Sequence, residues 1–464
     1  MYAAKKTYGQ DINTSLGNAA DPIDADQKLQ EDALMSYVAS VNYSYDDKYY
    51  ASFSFRRDGS SRLSPDTRWG NFWSLSASWR LSQERFMQPL KSVLSDLKLR
   101  ASYGVNGNLP SSYYGYQSTY TTGAFYSGKP SPWESTLGNE ELTWEKNYAL
   151  NLGLDIGLFS RVNVSLDWYT RTTKDLLMSK QLNSISGFSS LLTNVGQMRN
   201  TGVELEVRSN NIKTKDFSWT TAFNLSHNKN KILKLADLPW FVDGRYVRKE
   251  GYPFNTIYLR EYAGVDPETG SALYYDNQQD ENGNYTKNKV TDPGQASPIP
   301  LKDITPTISG GFMNTFNYKF IDLSFNLSYS FGGYSYDNAS YILQDDGYSV
   351  ISNKSTEQRR RWQKPGDITD VPRFVYGNKK GGNYNSSRAI HSTDHIRLKS
   401  LILGLNAPKA WLQKLGIGNA RIYFSGTNLL TWAAYDQYDP EMSGVVGFYT
   451  PPLKTYAFGL ELKF

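Results

Sequence analysis

The chain closes on Tyr456-Ala457-Phe458-Gly459-Leu460-Glu461-Leu462-Lys463-Phe464. Side chains alternate across an extended strand with period two. Tyr456, Phe458, Leu460, Leu462 and Phe464 therefore share one face, and Ala457, Gly459, Glu461 and Lys463 the other. The first face is apolar throughout and the second carries charge. Such a strand separates an apolar medium from water; it favours a membrane barrel, with the last strand of a soluble β domain as the lesser alternative. The rest of the chain has to decide.

Working back from that strand, the same alternation recurs along almost the whole sequence. Tyr37, Ala39, Val41, Tyr43 and Tyr45 oppose Ser36, Ser40, Asn42 and Ser44. Leu97, Leu99, Ala101 and Tyr103 oppose Lys98, Arg100 and Ser102, and Leu323, Phe325, Leu327 and Tyr329 oppose Ser324, Asn326 and Ser328. Two features favour a membrane barrel over a sandwich. The strands run to roughly ten residues, the length a tilted membrane strand needs. Connections alternate between short and long, as they do between the periplasmic and outer ends of such barrels. Asp46-Asp47, Leu158 to Ser160 and Lys319-Phe320 read as tight turns; Gly107 to Trp144, Thr173 to Asn200 and Gly332 to Thr393 are long, the last being the longest. Gln83 to Leu94 has room for a short helix. The stretch 251–306 fits the count only if Ser271 to Asp276 adds a short strand. The pattern then predicts about 15 strands.

Composition narrows the function classes. The mean hydropathy of -0.56 is compatible with a membrane barrel, because only every second strand residue faces lipid. No run is long and apolar enough for a membrane helix. A net charge of +5 spread over 464 residues, with no basic run, gives no reason to expect nucleic acid. Cysteine is absent, which excludes disulfides, thiolate nucleophiles and Cys-based zinc sites. Met1 to Asp11 lacks the apolar core of a signal peptide, so Met1 is expected not to be the natural start of an exported protein.

The motifs sharpen this reading. Tyr49-Tyr50-Ala51-Ser52-Phe53-Ser54-Phe55-Arg56-Arg57-Asp58-Gly59-Ser60-Ser61-Arg62, followed by Arg68-Trp69-Gly70, resembles the signature of SusC/RagA-type TonB-dependent transporters. Further matches follow in family order: Leu97 to Gly104, Leu142-Thr143-Trp144-Glu145-Lys146, Lys174-Asp175-Leu176-Leu177 and Asn194 to Glu204. Gly264-Val265-Asp266-Pro267-Glu268-Thr269-Gly270, Arg361-Trp362 with Pro365-Gly366-Asp367, and Arg397-Leu398-Lys399 complete the series. The resemblance implies an all-β fold, an antiparallel transmembrane β-barrel of which this chain supplies about 15 of 22 strands. It divides the chain into a leading loop segment 1–33 and a partial barrel 34–464, with no counterpart of the family's plug domain. It implies import of an oligosaccharide or peptide under a SusD-like lipoprotein, with the TonB complex acting only through a plug not in this chain. Outer-membrane lipid surrounds such a barrel. The apolar face of the last strand (Tyr456, Phe458, Leu460, Leu462, Phe464) resembles the signal read by the barrel assembly machinery.

Candidate chemistry is sparse. The polar faces offer Arg100, Asp155, Asp167 and Glu204 as a lumen wall, and the aromatic-rich segment with Tyr113, Tyr114, Tyr116, Tyr120, Phe125, Tyr126 and Trp133 offers flat faces to a ligand. Tyr120 and Trp133 are the candidates there. Loop-on-loop packing accounts for the same aromatics. His391-Ser392-Thr393-Asp394-His395 has two imidazoles and a carboxylate, but at a strand entrance, where they need not converge on a metal. Asp280-Glu281-Asn282-Gly283-Asn284 resembles the start of a calcium loop without its closing Glu, and reads as a polar turn. Arg56-Arg57-Asp58 and Arg359-Arg360-Arg361-Trp362 read as ion-paired loop scaffolding, with glycan stacking as the alternative. No catalytic constellation, metal site or cofactor motif is expected. A soluble β-rich glycan-binding or adhesive protein and a passive pore are the alternatives to a transporter.

Overall fold

Tight turns form where the strand twist demands a left-handed backbone. Asp46 and Asp47 both take positive φ (52° and 53°), as do Phe159 and Ser160 (51° and 52°). Positive φ at both central residues is the condition for the two-residue hairpin whose twist matches the flanking strands. Lys48 N–H donates to Tyr45 O at 3.0 Å, and Arg161 N–H to Leu158 O at 2.9 Å, closing the two turns. The computed structural model describes residues 29–235, 238–378, 385–412 and 416–464. Most of the expected leading segment 1–33 lies outside the described residues.

Thirteen strands form one large sheet and follow one another in chain order. They are β1 (Leu34–Tyr45), β2 (Tyr49–Ser60), β3 (Trp69–Arg80), β4 (Leu94–Asn108), β5 (Glu145–Leu158), β6 (Val162–Lys174) and β7 (Gln197–Lys213), then β8 (Phe217–Lys234), β9 (Ile308–Tyr318), β10 (Ile321–Phe331), β11 (His395–Asn406), β12 (Asn419–Ala433) and β13 (Thr455–Lys463). The sheet's described ladders are antiparallel, from Leu34 opposite Ser60 in the first to Asn419 opposite Lys463 in the last. The expected alternation of short and long connections holds from β4 onward; before it, the 81–93 connection is longer than 61–68. Between β3 and β4 the short helix is a 3-10 turn, Arg85–Leu90, that accommodates Pro89.

The stretch 251–306 differs from expectation. Ala272–Tyr275 does form a strand, but it pairs with Tyr262–Val265 and Lys289–Val290 in a separate three-stranded sheet. Thr256–Leu259 likewise belongs to a four-stranded sheet with Trp240–Asp243, Tyr246–Lys249 and Ile299–Asp303. None of this stretch joins the large sheet, which therefore has thirteen strands where about fifteen were expected. The connection 235–307 consequently exceeds 332–394, the one expected to be the longest. The physical reason is length: four-residue strands are too short to cross a membrane and pack on one another instead.

By packing, the chain divides into two units. The first comprises Met1–Ser78, Ala101–Leu150 and Arg171–Met198. Its core is Leu63, Phe72, Val105, Leu142 and Trp144, with Phe72 edge-on to Trp144 at 5.2 Å. Fully burying each such side chain contributes about 1.5–3 kcal/mol. Asn194 ties the family motifs together there: it accepts from Thr143 N–H at 2.8 Å and donates to Thr143 O and Asp175 O at 2.9 Å each. The second unit comprises Trp79–Arg100, Asn151–Thr170 and Arg199–Phe464. Its buried clusters lie in the long connections, one around Ile257, Leu259, Tyr336 and Ala389 and another around Ala272, Tyr274 and Ala296.

On the large sheet the apolar face stays uncovered. Tyr37, Val41, Phe53, Leu75, Leu99, Leu152, Ile422 and Leu460 are all exposed, and Phe458 is 82% exposed. Individual exposed apolar residues are ordinary, but such a face repeated strand after strand is the signature of a surface that meets something other than water.

Candidate functional site: the polar sheet face and the long connections

The polar face is built from strand register. Arg100 on β4, Asp155 on β5 and Asp167 on β6 project to the same side, opposite Leu99, Leu154 and Leu166 of their own strands. Arg100 Nε donates to Asp155 Oδ2 at 2.8 Å and Nη2 to Asp155 Oδ1 at 3.0 Å, a bidentate pair. Nη2 also donates to Asp167 Oδ2 at 3.0 Å and to Ser165 Oγ at 3.1 Å, while Nη1 lies 2.9 Å from Asp167 Oδ1. One guanidinium thus meets two carboxylates, leaving one net negative charge about one-third exposed to whatever passes the face. Gly153 makes the arrangement possible. A methyl group there would lie 2.5 Å from Asp167 Oδ1 and 2.6 Å from Arg100 Cζ.

Three of the four expected wall residues are therefore brought together. Glu204 on β7 is exposed, and no described hydrogen bond or ion pair joins it to them. The motif recurs elsewhere in the sheet: Arg421 Nη2 donates to Asp322 Oδ2 at 2.7 Å, over Gly404, where a methyl would again fall 2.5 Å from both Asp322 oxygens.

Tyr120 and Trp133 stand on a hairpin, Thr119–Tyr126 paired with Lys129–Thr136, in the β4–β5 connection. Both are exposed. Other aromatics of that segment serve local packing: the Arg62 guanidinium sits 4.1 Å over the Tyr113 ring. The side chain of Phe125 lies outside the described residues.

The histidine pair is put to two separate structural uses. His391 stacks face to face on Tyr435, ring centroids 3.7 Å apart. Burial holds its imidazole below the usual pKa, with Asp337 partly opposing. His395 Nδ1 bonds Thr393 O at 2.8 Å, and Asp394 accepts from Gly332 N–H at 2.6 Å. Asp280 accepts from the backbone of Asn282 and Asn284 at 2.9 and 2.8 Å, with Gly283 at φ 81°, which is a polar turn. Arg56 pairs with Asp58 at 2.6 Å and Arg57 lies over Trp69, while Arg360 pairs with Glu357 at 2.6 Å.

Sequence reasoning missed how distant motifs dock. Trp362 Nε1 donates to Pro267 O at 2.8 Å, Gly366 N–H to the same carbonyl at 2.9 Å, and the Trp362 ring covers Gly270, which sits at φ 68°. Arg397, only 2% exposed, joins Asp439 at 2.6 Å and Glu441 at 2.8 Å, and Lys399 adds a second contact to Glu441 at 2.6 Å. That network clamps the β12–β13 connection to β11. Arg388 meets the fully buried Asp346 at 2.5 Å; burial alone would lower the guanidinium pKa, but Asp346 more than offsets it and raises it. A further feature without sequence signal is a cleft of about 450 Å³ in the β8–β9 connection, between Trp240, Tyr258, Tyr285 and Asn277.

A long-stranded sheet with an apolar exposed face, a charged opposite face and enlarged connections defines a class, the transmembrane β-barrels. Residues 3–286 match the family described as TonB dependent receptor-like, beta-barrel. TonB-dependent receptor P3 of Formosa agariphila is 33% identical over 94% of this chain and 46% of its own length. TonB-dependent receptor SusC of Bacteroides thetaiotaomicron is 31% identical over 95% of this chain and 45% of its own. Among solved structures, the RagAB peptide transporter superposes with a TM-score of 0.86 at 30% identity, over all of this chain and 51% of that one. The chain belongs to the TonB-dependent receptor β-barrel family, in its SusC/RagA type, and its place is the bacterial outer membrane. It spans about half the length of the curated relatives it matches.

Proposed function

We propose that the chain forms barrel wall and outer loops of a TonB-dependent importer of oligosaccharide or peptide, working beneath a SusD-like lipoprotein. The observation that carries this reading is the two-faced sheet: lipid accepts the apolar face, and a solvated passage accepts the charged one. In this account the Arg100–Asp155–Asp167 cluster lines the lumen. An importer needs a rigid wall there, and a guanidinium held by two carboxylates supplies fixed charge with little conformational freedom. The 235–307 and 332–394 connections and the Tyr120/Trp133 hairpin form the outer, capturing surface. TonB acts through a plug segment, and the apolar face of β13 with Phe464 is read during assembly.

The reading draws support from the extent of the likeness to the RagAB peptide transporter, which covers the whole chain. A test is uptake in the source bacterium with the gene deleted, and with TonB deleted separately. Loss of growth on one class of oligomer in both strains supports importation. Unchanged uptake in the gene deletion, across glycans and peptides, removes the proposal.

A further inference from the structure

The cleft in the β8–β9 connection combines three features that bear on a ligand. Its walls carry flat aromatic faces: Trp240 from the first strand of the four-stranded sheet, Tyr258 from the third, 6.0 Å between ring centroids, and Tyr285. Trp240 is 44% exposed, so its ring is presented rather than packed away. Its volume of about 450 Å³ lies within the range of small-molecule sites.

The second feature is Asn277. It is 2% exposed, it lines the cleft, and neither its amide oxygen nor its amide nitrogen has a hydrogen-bond partner in the protein. Buried polar groups are nearly always satisfied; both amide atoms are shut off from solvent, so a partner from outside reaches them once the side chain turns toward the cleft. Asn277 also sits at φ 50°, held there while Asp276 O accepts from Ser297 N–H at 2.8 Å and Asp276 N–H donates to Asn288 O at 2.8 Å. The fold thus fixes the backbone on which the unsatisfied amide stands. Gln278 beside it donates to Ser297 Oγ at 3.3 Å and adds a second amide to the rim.

The third feature is charge. Among the described residues, Lys249 is the cation of the lining and no carboxylate is part of it. A cationic ligand finds no counter-charge here, whereas a neutral or acidic one does not meet repulsion.

We propose that this cleft is a binding subsite for one neutral or acidic sugar residue. A pyranose has an apolar C–H face suited to Trp240 and Tyr258, and hydroxyls that both donate and accept. A primary amide such as Asn277, with two donors and an acceptor, matches hydroxyls in both directions. Lys249, whose ammonium lies 5.0 Å over the Tyr252 ring, is the lining residue able to give a carboxylate-bearing sugar a charge-assisted bond. The inference deepens the importer reading and rests on it, since it makes the outer loops a glycan-capturing surface.

The test uses the full-length protein in detergent, titrated calorimetrically with hexamers of glucose, N-acetylglucosamine and galacturonic acid and with a mixed hexapeptide pool. Saturation-transfer NMR identifies which ring protons lie against an aromatic face. At least one sugar oligomer is expected to bind. Trp240→Ala should weaken it by about tenfold, the loss of one desolvated aromatic face. Asn277→Gly, which keeps the left-handed backbone while removing the amide, should weaken it comparably. Failure of every sugar to bind, binding of the peptide pool alone, or sugar binding that neither variant alters overturns the proposal. TonB-dependent uptake measured in the same strains separates the two levels: uptake that persists while the cleft variants change nothing refutes the subsite and leaves the importer standing.

Discussion

Replacing Gly153 by alanine tests whether the charged face is a fitted structure or a loose collection of polar side chains. The added methyl would lie 2.5 Å from Asp167 Oδ1, 2.6 Å from Arg100 Cζ and 2.7 Å from Arg100 Nη1, where ordinary contact begins near 3.4 Å. Relief requires a displacement of about 0.9 Å in one partner. The two Arg100–Asp167 contacts, at 2.9 and 3.0 Å, cannot absorb that and stay within bonding distance. A hydrogen bond to a charged group is worth about 1.5–3 kcal/mol. Partial exposure of both side chains lets water replace part of it, and alanine stiffens the unfolded chain by about 0.4–1 kcal/mol in the opposite direction. The net expectation is a destabilisation of about 1–2 kcal/mol, read as a lower urea midpoint for the protein refolded in lipid vesicles. In an Asp167→Ala background the same substitution should cost markedly less, because the atom it strikes is gone. Gly404→Ala, facing Asp322 and Arg421, provides an independent replicate. A Gly153→Ala protein as stable as the parent, with no coupling to Asp167, would refute the reasoning.

Other consequences follow from the loops and the closing strand. His391 has a folded pKa below its unfolded value, so the unfolded state binds the extra proton; this contribution to stability is present above about pH 6.5 and is lost as pH falls through the folded value. Amide exchange in 334–337 and 390–392 should therefore speed up in acid beyond the intrinsic rate, and His391→Phe, which keeps the stack on Tyr435, should abolish that dependence. Trp362→Ala removes both the ring over Gly270 and the bond to Pro267 O, and should loosen 264–270 by about 2 kcal/mol, roughly half the loss for a fully buried Trp; limited proteolysis at that segment gives the readout. Removal of Phe464 together with Phe458→Ala should lower the fraction of heat-modifiable, folded protein in the outer membrane, whereas Lys463→Ala should not.

Much of the large sheet was legible because its information is local. Alternation fixes which residues share a face, and turns such as Asp46-Asp47 and Leu158 to Ser160 fix where the strands reverse. That Arg100, Asp155 and Asp167 face one side followed from parity alone. That they touch depends on the relative register of three strands, which no single strand encodes. In 251–306, Thr256–Leu259 and Ala272–Tyr275 carry the same β-forming residues as the long strands, so pattern could not exclude them from the sheet. Their shortness decides it, and length is visible only once pairing is known. Gly270 and Trp362 each stand within a motif, yet their contact joins two separate connections, 235–307 and 332–394, which no local pattern links. Arg397 between Ile396 and Leu398 shows the same alternation as Arg100 between Leu99 and Ala101, so nothing local marks it as the buried one. Nothing in the sequence marks Asn277, whose importance lies in the hydrogen bonds it does not make.

The central claim is that one face of the sheet meets lipid and the other a solvated passage. The protein has no cysteine, so a single introduced one reports its own position. Cysteines placed one at a time at Leu323, Ser324, Phe325, Asn326, Leu327 and Ser328 of β10 would be exposed to a membrane-impermeant maleimide in intact outer membranes. The account predicts strict alternation, with Ser324, Asn326 and Ser328 labelled and Leu323, Phe325 and Leu327 protected. Labelling that is uniform along β10, or that follows distance from the loop instead of parity, would contradict it.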